Sequence, residues 1–422
     1  MASQTMLRRA GVSLRVGNVF VVIVLGALLQ VVTQIVLARG LPKADVGLIS
    51  LIVGALPLLS TLTLLGQDTS IVRHLSPRDA DRYDLGAYAR RTLGIVVPLG
   101  ATAGFAAGLY YAFPGLPMAT IVTLVASQNV VLLLTAFLRA RHRYEAAIVA
   151  RHLPIIGGAI GLAVLFWTSR LSLNTALITL LAAYGLSALI AAALPGHRSS
   201  IVGSGERTPV PPHVLRDGFL FLGLGVSLSV MVSIDRLIIS RLMTLPDLAV
   251  YSTIFAVTKA FDFLFYAVGY VLMPTIGRRG TMSLRRPALA VAAVAVVVAA
   301  GYLLFGDELV HLLYAGRYDL GTYLIPAFVL SGVLKLFYSI PSSYINGGAP
   351  TGAVRRFMVA NLFTMALNVA LDIILVRRMG LMGAALATAA AWAMRLAAGV
   401  VIMQMYKGRT NSERVPDDPG GP

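Results

Sequence analysis

The stretch PALAVAAVAVVVAAGYLLF at residues 287–305 contains no charged side chain. An α-helix of about 20 such residues is long enough to cross the hydrocarbon core of a bilayer, which is roughly 30 Å thick. The stretch therefore predicts a membrane-spanning helix.

Apolar stretches of this kind recur along the chain and predict twelve spans in all. The fifth is short, but Arg151 and Arg170 at its ends can extend to the headgroups, and Trp167 suits the membrane interface. None alternates apolar and polar residues over about ten positions, as strands of a membrane barrel do. The predicted spans are residues 16–38, 46–66, 92–112, 118–138, 153–168, 173–194, 218–240, 248–274, 287–305, 323–345, 357–376 and 379–403.

The composition of the chain excludes several classes of protein. Of its 422 residues, 57% are hydrophobic and 13% are charged, whereas about a quarter of a soluble domain is charged. The chain has no cysteine, which excludes disulfides, thiolate metal sites and a cysteine nucleophile. The apolar run 16–38 is too long for a signal-peptide core and ends without a small-residue cleavage site, which predicts a retained first helix.

The cations that give the chain its net charge of +17 are distributed unequally between the two sides of the membrane. When loops are assigned alternately to the two sides, 24 of the 31 Lys and Arg in loops and termini lie on one side. The positive-inside rule places that side, with both termini, in the cytoplasm. Nucleic acid is therefore not needed as a partner, although some arginines are expected to contact the headgroups of membrane lipids.

A segment rich in Pro, Gly and Ser, PGHRSSIVGSGERTPVPPHVLRD at 195–217, divides the spans six and six. We interpret it as a cytoplasmic linker between an N-terminal lobe (1–194) and a C-terminal lobe (218–405). The polar segment 406–422 is expected to be disordered. The start of the second span recurs 204 residues later, which suggests duplicated halves of a transporter. The matching residues are Leu41, Pro42 and Val46 with Leu245, Pro246 and Val250.

Ionisable residues inside the predicted spans all follow the linker. A charge at mid-bilayer costs about 2.5 to 3.5 kcal/mol on insertion scales, so such residues normally face a bundle interior or a wet cavity. They therefore form the candidate site. The set is Asp235, Arg236, Lys259, Asp262, Lys335, Asp372 and Arg395.

The chain resembles the multidrug, oligosaccharidyl-lipid and polysaccharide (MOP) exporter superfamily, and within it the polysaccharide-biosynthesis flippases of Wzx type. Five stretches carry the resemblance: LARGLPKADVGLISLIVGALPLLSTLTLLGQDTSIVRHL at 37–75, FLRARHRYEAAIVARHL at 137–153, DRLIISRLMTLPDLAVYSTIFAVTKAFDFLFYAVGYVLMPTIGR at 235–278, LLYAGRYDLGTYLIPAFVLSGVLKLFYSIPSSYINGGAPTGAVRR at 312–356 and NVALDIILVRRMGLMGAALATAAAW at 368–392.

The resemblance implies an all-α integral membrane protein with two six-helix lobes around a central cavity, the MATE-like fold of this superfamily. It implies a flippase that carries a polyprenyl-pyrophosphate-linked oligosaccharide to the outer leaflet by alternating access, without a cofactor. A coupling proton or sodium ion and contact with polysaccharide polymerase or glycosyltransferase machinery are expected. The lipid II flippase branch is longer by two helices and carries arginine in its first helix, where this chain has Gln30 and Gln34.

Cations are needed to bind a pyrophosphate headgroup, which points to Lys259, Lys335 and Arg236 as substrate-binding residues. The carboxylates Asp262, Asp235 and Asp372 are the ion-coupling candidates. Other pairings stay open: Lys259 can neutralise Asp262, three residues away, Arg236 can pair with either of the other acids, and Arg395 can extend to the surface. Four amides suit either sugar hydroxyls or helix–helix hydrogen bonds: Gln30, Gln34, Gln128 and Asn129.

Other functions fit the sequence less well. A cation-coupled multidrug antiporter of the same superfamily is the main alternative, ahead of a lipid II flippase. A major-facilitator transporter would carry a glycine-aspartate-arginine-glycine signature, which DRYDLGAYARR at 81–91 only faintly resembles. An enzyme would need a concentrated polar site on a large loop, but the largest outer loop, 306–322, has only scattered polar residues.

The predicted orientation can be tested with single cysteines, because the chain has none of its own. Cysteines at Gly203 and Ser412 should resist a membrane-impermeant thiol reagent added to intact cells. A Ser169→Cys variant, beside Arg170 on the opposite side, should be labelled. Labelling of the first two positions from outside would overturn the orientation.

Overall fold

The computed structural model describes residues 25, 26, 28–75, 83–141, 143–193, 209–279 and 285–407. These residues form helices and no β-strand. In a bilayer, backbone N–H and C=O groups must bond within the segment that carries them, which an apolar helix achieves. The helices are α1 (Leu28–Gly40), α2 (Lys43–Leu64), α3 (Gln67–His74), α4 (Leu85–Tyr110), α5 (Gly115–Ala140), α6 (Tyr144–Trp167), α7 (Leu173–Ala193), α8 (Pro212–Leu242), α9 (Leu245–Val257), α10 (Ala260–Arg279), α11 (Arg285–Tyr314), α12 (Ile325–Gly348), α13 (Thr351–Met379) and α14 (Leu381–Lys407).

The prediction of an all-α, multi-pass membrane protein is confirmed. Ten helices in the described residues are long and apolar enough to span a bilayer, and the broken pair α9 and α10 makes an eleventh span. These correspond to the predicted second to twelfth spans. Of the predicted first span, residues 25, 26 and 28–38 are described. Residues 16–24 and 27 lie outside the described residues, as do 194 at the end of the sixth span, 195–208 of the linker and 408–422 of the tail.

Two features of the helices were not predicted from the sequence. Helix α3 follows α2 after a turn at Leu65 and Gly66, both of which have positive φ. The eighth span is interrupted at Thr258 and Lys259, which lie in a turn between α9 and α10. Carbonyl groups freed by such a break need other partners; the hydroxyl of Tyr302 donates to the carbonyl oxygen of Val257 over 2.6 Å.

The described residues form two compact units. Unit 1 holds those of Met1–Ala256 and Leu312–Tyr318, and unit 2 holds Val257–His311 and those of Asp319–Pro422. Helices α8 and α9 thus belong to unit 1, where α8 packs on α2 and α3. The division into lobes 1–194 and 218–405 stays a prediction.

Unit 1 has its apolar core where α2, α3, α4, α5 and the beginning of α8 meet. Burying such side chains gains about 1.5 to 3 kcal/mol each relative to exposure, as an upper bound. The cluster includes Leu64, Ile71, Leu85, Val96, Leu133, Phe137 and Val214.

Glycine residues allow backbone segments of unit 1 to approach one another closely. A Cβ on Gly47 of α2 would lie 2.0 Å from the carbonyl oxygen of Leu245, at the beginning of α9. A Cβ on Gly66 would lie 2.1 Å from the carbonyl oxygen of Gly218 in α8. Small residues let helix backbones approach closely in membranes, where van der Waals contact drives association.

Replacing Gly47 by alanine should lower the thermal stability of the detergent-solubilised protein, because a backbone carbonyl cannot move aside cheaply. Overpacking of this kind costs about 1 to 3 kcal/mol. Gly94→Ala in α4 is the matched control: a Cβ there meets nothing within 4 Å, and alanine favours a helix by roughly 0.5 to 1 kcal/mol. Equal melting temperatures for the two variants would contradict the close approach.

Candidate functional site

A buried ion pair joins α10 and α12 in unit 2. The ammonium nitrogen Nζ of Lys335 donates a hydrogen bond to Oδ1 of Asp262 over 2.6 Å. The Lys335 side chain is 7% exposed and the Asp262 side chain is 26% exposed. Each charge offsets part of the desolvation cost that the other would carry alone, and the carboxylate is the more open side of the pair.

Three aromatic rings surround the ammonium group of Lys335. Its Nζ lies 5.2 Å from the ring centroid of Trp392, 5.3 Å from that of Phe265 and 6.0 Å from that of Tyr266. Ring faces attract cations over such distances. In this conformation Lys335 is therefore an internal partner of Asp262, held by a carboxylate and an aromatic cage.

Lys259 is placed differently from Lys335. It lies in the break that precedes α10, and its side chain is half buried. Its backbone carbonyl oxygen accepts hydrogen bonds from the amides of Asp262 and Phe263, at 2.9 and 3.2 Å. The backbone of Lys259 thus forms the start of α10, within unit 2.

The buried face of α13 carries polar side chains in line. Asn361, Asn368 and Asp372 are 3%, 0% and 0% exposed, and their spacing of seven and four places them on one helix face. Among the described residues, neither amide atom of Asn368 has a hydrogen-bond partner. An unsatisfied amide beside a fully buried carboxylate needs a physical explanation.

Arg395 of α14 lies beside Asn361, the residue of that face nearest the start of α13. It is 1% exposed, so it does not extend to the surface as one sequence interpretation held. Its Nη2 donates to the backbone oxygen of Asn361 over 3.4 Å, and its guanidinium lies 5.7 Å from the ring of Trp392. The hydroxyl of Tyr338 donates to Oδ1 of the same asparagine over 3.1 Å.

Two of the predicted ionisable residues lie in unit 1, on α8. Asp235 is buried, and its Oδ2 accepts a hydrogen bond from the hydroxyl of Tyr251. The Arg236 guanidinium lies 5.2 Å from the ring centroid of Phe255. Gly54 of α2 makes room for that arginine, since a Cβ on it would lie 2.6 Å from Arg236 Cδ.

The predicted amides have different surroundings within unit 1. Asn129 is fully buried, and its Nδ2 donates to Oγ1 of Thr63 and to the backbone oxygen of Val96, both at 2.8 Å. These are bonds between helices. Gln34 donates from Nε2 to Oγ1 of Thr253 over 3.1 Å. The remaining two, Gln30 on α1 and Gln128 on α5, are half buried.

A reciprocal arginine clasp fastens the segment Leu312–Tyr318 within unit 1. Arg39 donates from Nε and Nη2 to the backbone oxygens of Leu313 and Leu312, at 2.7 and 2.5 Å. Arg317 donates in return to the backbone oxygens of Ala38, Arg39 and Leu41, at 2.9, 2.6 and 2.9 Å. Both arginines thus bind main chain.

The described residues contain no group of three or more His, Asp or Glu side chains that could hold a metal ion. The chemistry that this arrangement offers is ionic. Buried ammonium and guanidinium groups can bind anions, and buried carboxylates can bind a proton or a cation.

A sequence profile of the family described as polysaccharide biosynthesis protein matches residues 16–279. The chain belongs to this family. No curated protein matches the chain at a significant level.

Solved structures of MOP transporters share the fold of this chain. An inward-facing MATE family multidrug resistance transporter has a TM-score of 0.69 at 15% identity, over 92% of this chain and 96% of that one. The lipid II flippase MurJ, inward closed, has 0.66 at 12%, over 92% and 88%. A MOP superfamily transporter from Pyrococcus furiosus has 0.60 at 14%, over 95% and 96%. The MATE-like MOP fold predicted from the sequence is therefore confirmed.

Sequence reasoning overlooked several residues of this polysaccharide biosynthesis protein. Asn368 could have been found, since it precedes Asp372 by four positions and so shares its helix face. Nothing in the sequence distinguished Trp392, one of the rings around Lys335, because aromatic residues are common in apolar helices. Asp68 lies outside the spans on α3; burial raises the pKa of its carboxyl above the usual value, and the charges of Arg139 and Arg151 oppose that rise only in part.

Asp262→Asn should destabilise the polysaccharide biosynthesis protein, because it leaves the caged ammonium group without its counter-charge. We expect a loss of roughly 3 kcal/mol, the lower end for buried pairs, since Asp262 is a quarter exposed. Asp319→Asn is the control: its pair with His311 is exposed and contributes about 1 kcal/mol or less. Thermal unfolding in detergent measures both, and equal shifts would show that the Lys335–Asp262 pair adds little.

Proposed function

We propose that this polysaccharide biosynthesis protein is a flippase for a polyprenyl-pyrophosphate-linked oligosaccharide, an exopolysaccharide or O-antigen repeat unit. It would carry this substrate across the cytoplasmic membrane by alternating access. Family membership supports the link to polysaccharide, and a lipid flippase is among the proteins that share the fold. The observation that carries the proposal is the Lys335–Asp262 pair, a cation kept inside an apolar bundle with a replaceable counter-charge.

The pair suggests how a phosphate could be bound. Asp262 is the more exposed partner, so a phosphate oxygen arriving from that side can replace the carboxylate as acceptor for the Lys335 ammonium group. A charge-assisted hydrogen bond of this kind contributes about 1.5 to 3 kcal/mol. Lys259 and Arg236 are the further substrate-binding candidates. The half-buried Gln30, Gln34 and Gln128 suit sugar hydroxyls better than Asn129, which is committed to Thr63 and Val96.

An ion gradient is the proposed energy source. The side chain of Asp372 is 0% exposed, and a carboxylate so far from water is a candidate to bind a coupling proton or sodium ion. The amide oxygen of Asn368 on the same face can serve as a neutral ligand. Asp235 and Asp262 are the alternative coupling residues, and protonation of Asp262 would also release Lys335 for substrate.

The distribution of cations supports a setting for this function. With both termini in the cytoplasm, as the positive-inside rule predicts, the protein would receive a lipid-linked unit built on that side. Polysaccharide polymerase or glycosyltransferase machinery would be the neighbours in the membrane. No cofactor and no nucleic acid take part.

A second candidate is a cation-coupled multidrug antiporter, favoured by the fold shared with MATE family transporters. The two functions predict different substrates in the same vesicles. Saturable, gradient-driven uptake of a cationic dye with no movement of a lipid-linked oligosaccharide would favour the antiporter.

Lys335→Gln should reduce flipping of a defined lipid-linked oligosaccharide in proteoliposomes at least tenfold, because glutamine cannot supply the charge. Lys335→Arg should restore part of the activity, since it keeps the charge but changes the geometry. Arg286→Gln, at the exposed beginning of α11, is the control. The double variant Lys335→Gln with Asp262→Asn separates folding from function: stable protein without flipping supports the proposal, and flipping at the normal rate contradicts it.

The same vesicles test coupling. Asp372→Asn should abolish the dependence of flipping on a proton or sodium gradient while downhill flipping continues. Retained gradient dependence would exclude Asp372 and leave Asp262 and Asp235 for the same substitution.

A further inference from the structure

An open groove of about 690 Å³ runs along the first three turns of α13. The residues that line it recur every three or four positions and therefore form one face of the helix. They are Gly352, Arg355, Arg356, Val359, Ala360 and Phe363.

This face points away from the interior of unit 2. Successive helix residues are about 100° apart, which places Arg356 and Phe363 on the side opposite Asn361, Asn368 and Asp372. Burial agrees, because the two groove residues are exposed and the three polar residues are at most 3% exposed. The groove therefore lies on a surface that a bilayer would cover.

The end of the groove nearest the helix start is cationic. Arg355 and Arg356 are both exposed, and the guanidinium of Arg356 lies 5.8 Å from the ring centroid of Tyr406 on α14. That contact orients one arginine, and Gly352 beside the pair is exposed. A phosphate group is the anion that such a guanidinium pair binds with good geometry.

The other end of the groove is apolar. Val359 is 57% exposed and Phe363 is 69% exposed. Phe363 lies seven residues beyond Arg356, about 10 Å along the helix axis. A ligand that fills the groove therefore has an anionic group at one end and a hydrocarbon chain extending from it.

We propose that this groove binds one anionic phospholipid of the cytoplasmic leaflet. Its phosphate lies between Arg355 and Arg356, and one acyl chain lies on Val359 and Phe363. The distribution of cations in the sequence places the beginning of α13 on the cytoplasmic side, where the anionic headgroups of that leaflet are within reach. The position opposite the buried polar face favours a resident membrane lipid over a transported substrate.

Native mass spectrometry of the full-length protein, titrated in detergent with phosphatidylglycerol, tests the site. One lipid should bind in preference to further copies, and Arg355→Gln with Arg356→Gln should weaken that binding about 25-fold, as two arginine contacts predict. Arg377→Gln with Arg378→Gln is the matched control, an exposed arginine pair at the opposite end of the same helix. Phe363→Ser should weaken binding of phosphatidylglycerol and phosphatidylcholine alike, whereas the Arg355 and Arg356 double variant should change affinity for phosphatidylcholine much less, because that lipid carries no net charge.

Three results would overturn the proposal. An equal loss in the control pair would show only general attraction between charges. Competition by soluble glycerophosphate as strong as that by phosphatidylglycerol would show that the apolar end is not used. Displacement of phosphatidylglycerol, one for one, by a lipid-linked oligosaccharide would make the groove a substrate site.

Discussion

In a hydrocarbon solvent, each polar group must find its partner inside the protein, and this requirement shapes the whole molecule. The backbone meets it by forming helices. Charged side chains meet it in pairs or in cages, as Lys335 does with Asp262 and three aromatic rings. Where the eighth span breaks, the hydroxyl of Tyr302 binds the carbonyl oxygen of Val257. Several polar residues of unit 2 therefore bond to one another, whereas the amide of Asn368 has no hydrogen-bond partner among the described residues.

In the proposed function, this pairing of polar groups would link stability to transport. Asp262 neutralises Lys335 when no substrate is bound, and exchange for a substrate phosphate would keep a counter-charge beside Lys335 while water solvates the partly exposed carboxylate of Asp262. In the same proposal, the fully buried carboxylate of Asp372 would bind a small cation or a proton. Asp372 lies on α13 whereas the Lys335–Asp262 pair joins α10 and α12, so substrate and ion would bind to different residues.

The sequence predicted most of the helices because about twenty apolar residues in succession have few alternatives to a membrane span. The ion-pair partners of the charged residues were harder to predict than the helices. The sequence left open whether Lys259, three residues from Asp262, pairs with it; the ion pair described in the structure joins Asp262 to Lys335, 73 residues away. Lys259 lies in a break before α10, and hydropathy does not register such a break because Thr258 and Lys259 are flanked by apolar residues. For the same reason, hydropathy did not indicate that the boundary between the two units falls at Val257.

The arginine clasp of unit 1 differs from the Lys335–Asp262 pair in the nature of its acceptors. Arg39 and Arg317 bind main-chain oxygens, which every residue type supplies, and neither a guanidinium nor a peptide carbonyl titrates in the physiological range. Acidification that protonates carboxylates elsewhere would leave these bonds intact. Substitutions at Ala38 or Leu312 would likewise keep the acceptor oxygens in place. The attachment of the segment Leu312–Tyr318 thus depends on the side chains of Arg39 and Arg317. It depends neither on pH in the physiological range nor on the side chains of the residues that supply the acceptor oxygens.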